Sequence, residues 1–236
     1  TMEASVYWLA EPRNVIRTKT RKGEGLTLRN LSVPEAPEPS LVVLLHAIAG
    51  AAPRIAYDMQ LNAEPPSDNT VEAEPNDTAH LATPIILGDE LSGFLDRKND
   101  QDYISINVSE ATAARITLTP AMDTRATLQV MQPDGMTALT RQGASKGASV
   151  SALGFGFTPG RWLLRIQGNP PNAKQHYTLS VNAATAVTSE REPNDSAESA
   201  TLQTLIPKTP VTGWIHPATD LDVWRVERSE EQGPGI

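Results

Sequence analysis

The sequence predicts an all-β protein made of tandem antiparallel β-sandwich modules with a jelly-roll-like layout. Two observations lead to this prediction: apolar and polar residues alternate over many short segments, and much of the sequence repeats after about 120 residues. Alternation with period 2 places one set of side chains on a core face and the other in water. A repeat of this length is too long for a solenoid unit and fits an independent domain.

The repeat defines one complete unit and two incomplete ones. Three segments recur in pairs, at 57–63 and 177–183, at 72–77 and 190–195, and at 100–106 and 220–226. The resulting units are the back part of a first sandwich at 1–70, a complete sandwich at 71–187, and the front part of a third at 188–236. The chain is therefore expected to be a segment of a longer protein, with flanking domains as its immediate partners.

Strands are expected throughout the complete unit. Turn chemistry separates them at 133–135, 158–160 and 168–171, which are rich in Pro, Gly, Asn and Asp. Helical turns fit only at 78–82 and 196–200. The residues expected to face the core are Ile104, Ile106, Val108, Ile116, Leu118, Leu128, Val130, Trp162, Leu164, Ile166, Tyr177, Leu179 and Val181.

An acidic motif, E-x-E-P-N-D, occurs at 72–77 and again at 190–195. Three carboxylates and one amide oxygen within six residues are hard oxygen ligands, and Ca²⁺ takes six to eight of these. The further ligands would come from a later acidic turn in each unit. The candidate metal ligands are Glu72, Glu74, Asn76, Asp77, Asn99, Asp100 and Asp102 in the complete unit, and Glu190, Glu192, Asn194, Asp195, Asp220 and Asp222 in the third.

The same motif has a second interpretation as a linker between domains. Glu, Pro, Asn and Asp are common in linkers and turns. The Asn-Asp pair before Thr78 or Ser196 could instead cap a short helix. Both interpretations remain open from the residues alone.

The order of these motifs resembles the bacterial pre-peptidase C-terminal domain. The resemblance consists of E-x-E-P-N-D, a Gly-Phe or Gly-Trp strand, a D-x-D turn, the strand T-P-G-R-W-L-L-R-I and the closing strand Y-T-L-S-V. It covers about residues 71–184 in full and is similar in layout to the collagen-binding domains at the end of clostridial collagenases. It implies a jelly-roll-like sandwich that is not itself catalytic and is carried by secreted hydrolases or large surface proteins.

The resemblance also implies a set of calcium ligands in each unit. These are Glu72, Glu74, Asn76, Asp77 and Asp102, and Glu190, Glu192, Asn194, Asp195 and Asp222. Asn99 and Thr219 stand where the relatives carry a further aspartate, which favours one ion or weaker binding over a full two-ion site. Leu163, Arg165 and Gln167 replace the aromatic residues of the relatives' binding strand, so collagen affinity is not implied.

Composition limits the classes of function. The net charge of −8 disfavours a nucleic-acid partner, which needs a basic face. The absence of cysteine excludes thiolate sites, and no apolar run reaches the roughly 18 residues of a membrane span. Ser145 lies in a G-x-S-x-G sequence, but no helix is expected after it, so we expect no nucleophile elbow and no enzyme activity from this segment.

The leading hypothesis is an extracellular, periplasmic or cell-surface module whose partner is a protein or polysaccharide surface. Bound calcium would then stiffen the joint between units. One alternative is an accessory domain of a secreted peptidase or other hydrolase whose catalytic domain lies elsewhere. A second alternative is a carbohydrate-binding module, for which an exposed tryptophan on a sheet face would be expected.

Overall fold

The computed structural model describes residues 2–9, 11–21, 24–32, 40–48, 56–63, 70–132, 134–183, 190–198, 203–213, 215 and 221–226. Its strands are β1 (Met2–Trp8), β2 (Glu11–Thr20), β3 (Leu41–Ala47), β4 (Thr83–Ile85), β5 (Glu90–Gly93), β6 (Gln101–Val108), β7 (Thr112–Thr119), β8 (Arg125–Met131), β9 (Thr137–Gln142), β10 (Val150–Phe157), β11 (Gly160–Asn169), β12 (Tyr177–Ala183), β13 (Thr204–Leu205) and β14 (Arg225–Val226). One 3-10 turn occurs at Ala79–Leu81. No helix in the described residues is long and apolar enough to cross a membrane.

Strands β4 to β12 form a sandwich of two sheets. One sheet has the order β10-β7-β12-β5 and the other the order β4-β6-β11-β8-β9. All pairings are antiparallel except that of β4 with β6. The sheets enclose one continuous apolar core, in which Phe155, Phe157 and Trp162 pack edge to face with centroids 4.9 to 5.5 Å apart. The predicted all-β sandwich is confirmed.

The residues predicted to face the core do so. Each of the thirteen is at most 9% exposed, and Ile104, Ile106 and Leu164 are fully buried. Alternation succeeds here because one face of each strand meets the opposite sheet while the other meets water or a loop. The turn expected near 78–82 is the 3-10 turn at Ala79–Leu81, and 195–198 forms a bend and turn.

The sheet at the start of the chain repeats part of the sandwich. Its order is β2-β1-β3, which corresponds by the sequence repeat to β9-β8-β11. Ala4, Val6 and Trp8 are buried on one face of β1, as their counterparts in β8 are. The strands β4 and β6 have no counterpart in this sheet among the described residues, and β3 keeps much of its surface exposed.

The last described strands repeat another part of the sandwich. Strand β13 pairs in parallel with β14 through Thr204 with Arg225 and Leu205 with Val226. After a shift of about 120 residues this is the register in which Pro84 pairs with Ser105, within the parallel pair β4 and β6. The structure therefore contains the same unusual parallel pairing twice.

Segment 57–63 differs from its sequence counterpart β12. It forms no strand, and Tyr57, Met59 and Leu61 are 59 to 79% exposed. In the sandwich, β12 is held between β5 and β7. No strand among the described residues pairs with segment 57–63. The unit boundaries at 70 and 187 stay predictions.

Candidate metal centre

Segment 72–77 is held in place by main-chain hydrogen bonds on both sides. The amide of Glu72 donates to the carbonyl of Ser92 at 2.9 Å, and the carbonyl of Asn76 accepts from Tyr103 at 2.9 Å. A parallel bridge joins Glu74 to Leu31. The Glu74-Pro75 peptide is cis. The acidic segment is thus fastened to the end of β5, to the start of β6 and to a segment of the preceding unit.

The acidic side chains of this segment point into the protein. Glu72, Glu74 and Asn76 are 0 to 3% exposed, and Asp102 on β6 is fully buried beside them. Carboxylate oxygens of Glu74, Asp100 and Asp102 lie within 4.8 Å of one another. The interpretation of the motif as a solvated linker does not fit these burials. Nor does capping by Asn76 or Asp77 fit, because the N-cap position of the 3-10 turn is Thr78, while Asn76 is buried and the Asp77 carboxylate contacts Arg97.

Glu72 and Glu74 are anchored by specific donors. Glu72 Oε1 accepts from the amide of Phe94 at 2.6 Å, and its Oε2 accepts from the Tyr177 hydroxyl at 2.9 Å. Glu74 Oε2 accepts from the amide of Asn76 at 3.1 Å. These contacts fix the direction of both carboxylates before any ligand binds.

Three buried oxygens on the inner side of this cluster are acceptors without a matching donor among the described residues. Asn76 Oδ1 and both carboxylate oxygens of Asp102 are buried and accept no well-formed hydrogen bond within the part of the chain that the structure describes. A buried carboxylate without a donor costs several kcal/mol, of the order of a lost charge-assisted hydrogen bond or more. The neighbours of Asp102 are the Glu72 carboxyl and the Tyr177 hydroxyl. The arrangement favours a proton or a cation among these oxygens.

Arg97, which the sequence reasoning did not single out, lies on the other side of the cluster. It is 8% exposed. Its Nη1 lies 3.2 Å from Glu74 Oε1 and 3.1 Å from Asp96 Oδ1. Its Nη2 lies 2.7 Å from Asp77 Oδ2 and 2.9 Å from Asp100 Oδ1. One guanidinium therefore contacts four carboxylates.

Burial dominates the protonation of these carboxyl groups. Desolvation raises the pKa of Glu74 to about 7 and that of Asp100 to about 9, although Arg97 opposes both shifts. Desolvation also raises the pKa of Glu72 and that of Asp102, which the charges of Glu72 and Asp100 raise further. Burial alone would lower the pKa of Arg97, but the surrounding carboxylates raise it instead. Burial therefore favours the protonated form of these carboxyl groups more than water would.

The absence of a side chain at Gly93 makes space for the Glu72 carboxylate and the Tyr177 hydroxyl. A Cβ atom at Gly93 would overlap Glu72 Oε2 and the Tyr177 hydroxyl. The matching Gly213 stands in the same relation to Glu190 Oε2. The sequence signal for this close approach is the recurrence of the Gly-aromatic pair at 93–94 and 213–214.

The second acidic motif builds a similar cluster. Carboxylate oxygens of Glu190, Glu192 and Asp222 lie within 4.8 Å of one another. The amide of Asn194 donates to Glu192 Oε2 at 3.0 Å, and its carbonyl accepts from Val223 at 3.1 Å. Both contacts match those of Asn76. Asn194 is 2% exposed, and its Oδ1 accepts no hydrogen bond within the described residues.

Not every candidate ligand joins these clusters. Asp77 turns its carboxylate to Arg97. Asn99 is exposed and adopts a left-handed backbone with φ of 64°, which shapes the turn ahead of Asp100. Asp195 is exposed, and Asp220 lies outside the described residues.

Each acidic motif also contacts the unit before it in the chain. The amide of Glu74 donates to the carbonyl of Asn30 at 2.8 Å, and that of Glu192 donates to the carbonyl of Gly154 at 2.7 Å. Both acceptors have a left-handed backbone, with φ of 56° for Asn30 and 67° for Gly154. Asn30 also donates from Nδ2 to Glu72 Oε1 at 3.3 Å. The same joint is therefore built twice along the chain.

Comparisons with known proteins find similar chains among the solved structures. No protein-family model matches the chain, and no curated protein matches it. Among solved structures, the chain is similar to the pre-peptidase C-terminal domain of collagenase from Bacillus anthracis. The sequence identity is 23% and the TM-score 0.35, and the match covers 42% of this chain and 93% of that domain. The β-sandwich itself is established by the sheet order and the shared core described above.

Proposed function

We propose that this chain is a non-catalytic stretch of tandem β-sandwich modules in which calcium binds the acidic clusters. The modules would lie outside the cell, in the periplasm or on the cell surface and would present their faces to a protein or polysaccharide. The observation that carries the proposal is Asp102, which is fully buried without a well-formed hydrogen bond to either carboxylate oxygen from a described residue.

Calcium suits the oxygens that this site offers. Asp102 and Asn76 supply unused acceptors, and Glu74 and Asp100 bring carboxylate oxygens within 4.8 Å of Asp102. Hard carboxylate and amide oxygens are the ligands that Ca²⁺ prefers, whereas Mg²⁺ demands a stricter octahedron. Binding would displace the protons that burial otherwise holds on these carboxyl groups. It would also cross-link the acidic segment to β6 and so stiffen the joint with the preceding unit.

The repeated joint and the repeated parallel strand pair support the tandem arrangement. The two joints share a left-handed residue, a bridge to the second glutamate of the motif and a matching amide donor. The sequence resemblance to pre-peptidase C-terminal domains supports the proposed location and an accessory role within a longer protein. Trp8 and Trp162 do not favour the carbohydrate alternative, because each is only 4% exposed, whereas Trp224 is half-buried.

The turn containing Ser145 supports the absence of catalysis in this segment. The turn connects β9 to β10, and a strand rather than a helix follows it. The Ser145 hydroxyl donates to the carbonyl of Lys146 at 3.4 Å. A nucleophile elbow needs a sharp turn from strand into helix.

Thermal melting with calcium and with chelator tests the proposal. A ligand that binds only the folded state stabilises it by about 2.7 kcal/mol at 100 times its dissociation constant. Asp102→Asn should lose most of the calcium-dependent rise in melting temperature. Asp123→Asn, which changes an exposed acid in a turn, should retain it. If wild-type protein melts at the same temperature with calcium and with chelator, the calcium proposal is wrong.

A further inference from the structure

The first acidic cluster contains a positive charge of its own. Arg97 contacts Glu74, Asp77, Asp96 and Asp100 at 2.7 to 3.2 Å and is almost fully buried. Its backbone amide also donates to Asp100 Oδ2 at 3.4 Å. The residue is thus fixed at both its main chain and its guanidinium.

The two sides of the cluster differ in the donors that the chain supplies to their oxygens. On the Arg97 side, each nitrogen at the end of the guanidinium serves two carboxylates, so the acids there have a counter-ion. On the Asp102 side, Asn76 Oδ1 and both Asp102 oxygens lack well-formed donors from the described residues. A guanidinium can bind several carboxylates through its fixed set of donors but cannot deprotonate in a protein. The first side therefore keeps its cation at any ordinary pH, and the second must take one from solution.

The third unit lacks the arginine. Its cluster has the same Asn-to-Glu hydrogen bond and the same glycine beside the first glutamate. At the position that matches Arg97 the sequence has Pro217, which carries no charge. The two motifs are alike in their ligand residues and differ at the position of Arg97.

We propose that Arg97 is a resident counter-ion that takes the place of a second divalent cation in the first cluster. The cluster then binds one divalent cation, beside Asp102, and gains a second only when Arg97 is removed. This inference builds on the proposed divalent-cation site and adds its stoichiometry and the residue that sets it. The oxygens of Asp77, Asp96 and Asp100 that now face the guanidinium would become the ligands of the additional ion.

The test is the number of calcium ions bound per chain, measured by equilibrium dialysis on the whole chain. Arg97→Gln should bind about one ion more than wild type, and calcium should raise its melting temperature by more than it raises that of wild type. Lys98→Gln is the matched control, because it removes the same charge from the neighbouring exposed residue. It should bind the wild-type number of ions. Arg97→Lys, which keeps a charge at the site, should gain no ion.

Any ions bound at the third unit are counted equally in every variant, so they do not affect the difference in ion number between variants. If Arg97→Gln binds the same number of ions as wild type, Arg97 is only a structural ion-pair partner and the inference is overturned. If the first cluster binds no ion in wild type but one in Arg97→Gln, the proposed calcium function of the natural cluster fails and the stoichiometry inferred here is wrong, although Arg97 would still be shown to exclude an ion.

A second variant covers the case in which Arg97→Gln does not fold. The double variant Arg97→Gln with Asp100→Asn removes one carboxylate together with the guanidinium and should fold without an additional ion. Recovery of folded Arg97→Gln by millimolar calcium supports the inference. Failure of calcium to recover it, while the double variant folds, contradicts the inference.

Discussion

Asp102 shows how burial decides the chemistry of a single residue in this protein. A carboxylate moved out of water must find a donor, a cation or a proton. Asp102 has no well-formed donor within the described residues, and Arg97 lies among the other acids. A proton or a bound cation is therefore what stabilises its position, and the two compete for the same oxygens.

This competition predicts how stability depends on pH when calcium is removed. Glu74 has an ordinary pKa of 4.5 and a folded-state pKa of about 7. A raised folded-state pKa adds stability that is fully present below the unfolded value and is lost as the pH rises through the folded value. The free energy of unfolding in chelator should fall by roughly 3 kcal/mol between about pH 4.5 and pH 7 through Glu74. Asp100, whose pKa is raised from 3.8 to about 9, should extend the fall to about pH 9.

Urea unfolding in chelator at several pH values within this window provides the measurement. Calcium should oppose the fall, because it binds the ionised carboxylates and binds better as they lose their protons. Stability in chelator that rises across the window would show that the carboxyl groups are not held protonated by burial. The acidic cluster would then need a different electrostatic explanation.

Gly93 gives a second prediction at the scale of one residue. Gly93→Ala forces a methyl group onto Glu72 Oε2 and the ring of Tyr177. Overpacking of this kind costs about 1–3 kcal/mol, and here it also displaces a proposed ligand. Both the chelator melting temperature and the calcium-dependent rise should therefore decrease. Gly25→Ala, which meets no atom within 4 Å, is the control and should behave as wild type. Equal melting temperatures for the Gly93→Ala and Gly25→Ala variants would contradict the close approach of Gly93 to the Glu72 carboxylate.

At the scale of the element, aromatic side chains of β10 and β11 pack against one another in the core. Phe157 on β10 is 1% exposed and packs edge to face on Trp162, with ring centroids 5.2 Å apart. Trp162 in turn donates from Nε1 to the Thr158 carbonyl at 2.9 Å. The turn between β10 and β11 is thus tied to the centre of the core.

Phe157→Ala should destabilise the sandwich by about 3–5 kcal/mol, since it removes a buried aromatic side chain and leaves a cavity. Met136→Ala, at a 65% exposed residue in the β8–β9 turn, should change stability by no more than about 0.5 kcal/mol. Chemical denaturation followed by tryptophan fluorescence measures both. A change below about 1 kcal/mol for Phe157→Ala would mean that this aromatic cluster does not support the core as described.

The elements of the sandwich were predictable because alternation is a local signal. Ile104 and Ile106 can be assigned to the core from their immediate neighbours alone. Tyr177 could not be assigned to the acidic cluster in this way, because its hydroxyl meets Glu72 across 105 residues of sequence. Arg97 was missed for a related reason. A basic residue in an acidic turn is usually exposed. The sequence does not show that Glu74 and Asp77, from a separate segment, lie beside Arg97 together with Asp96 and Asp100 of its own turn.

Segment 57–63 shows that a repeated sequence need not form the same element. Its sequence matches β12, but a strand exists only through its partners. In β12, Leu179 pairs with both Leu91 and Leu118. The sequence pattern records which face such a strand would bury, and not whether the rest of its sheet is present.

At the scale of the whole molecule, main-chain contacts join each acidic segment to residues earlier in the chain. The second glutamate of each acidic motif bonds to a left-handed residue of the unit before it, Asn30 or Gly154. The proposed calcium ligands and the joint therefore use the same short segment. Ordering of the calcium ligands is therefore expected to order the joint, and ordering of the joint is expected to order the ligands.

The joint after the sandwich can be broken at Gly154. A Cβ atom there would lie 2.6 Å from the main-chain oxygen of Glu190, which cannot move without shifting the acidic segment. Gly154→Val should therefore separate this segment from β10 and expose the amide of Glu192, which now donates to the Gly154 carbonyl at 2.7 Å. Gly135→Val is the matched control. Gly135 also has a positive φ, of 85°, so it bears a similar backbone cost, but no atom lies within 4 Å of its added Cβ.

Hydrogen exchange separates loss of the joint from loss of the sandwich. Gly154→Val should exchange faster than Gly135→Val in the peptide that covers 190–194. Amides of β11, in the opposite sheet, should remain protected in both variants because their partners in β6 and β8 are untouched. Equal exchange at 190–194 in the two variants would show that the bridge to Gly154 does not hold the third unit. A joint that resists exchange in wild type and loosens only in Gly154→Val would establish that the modules are fixed to each other through the same segment that carries the acidic cluster.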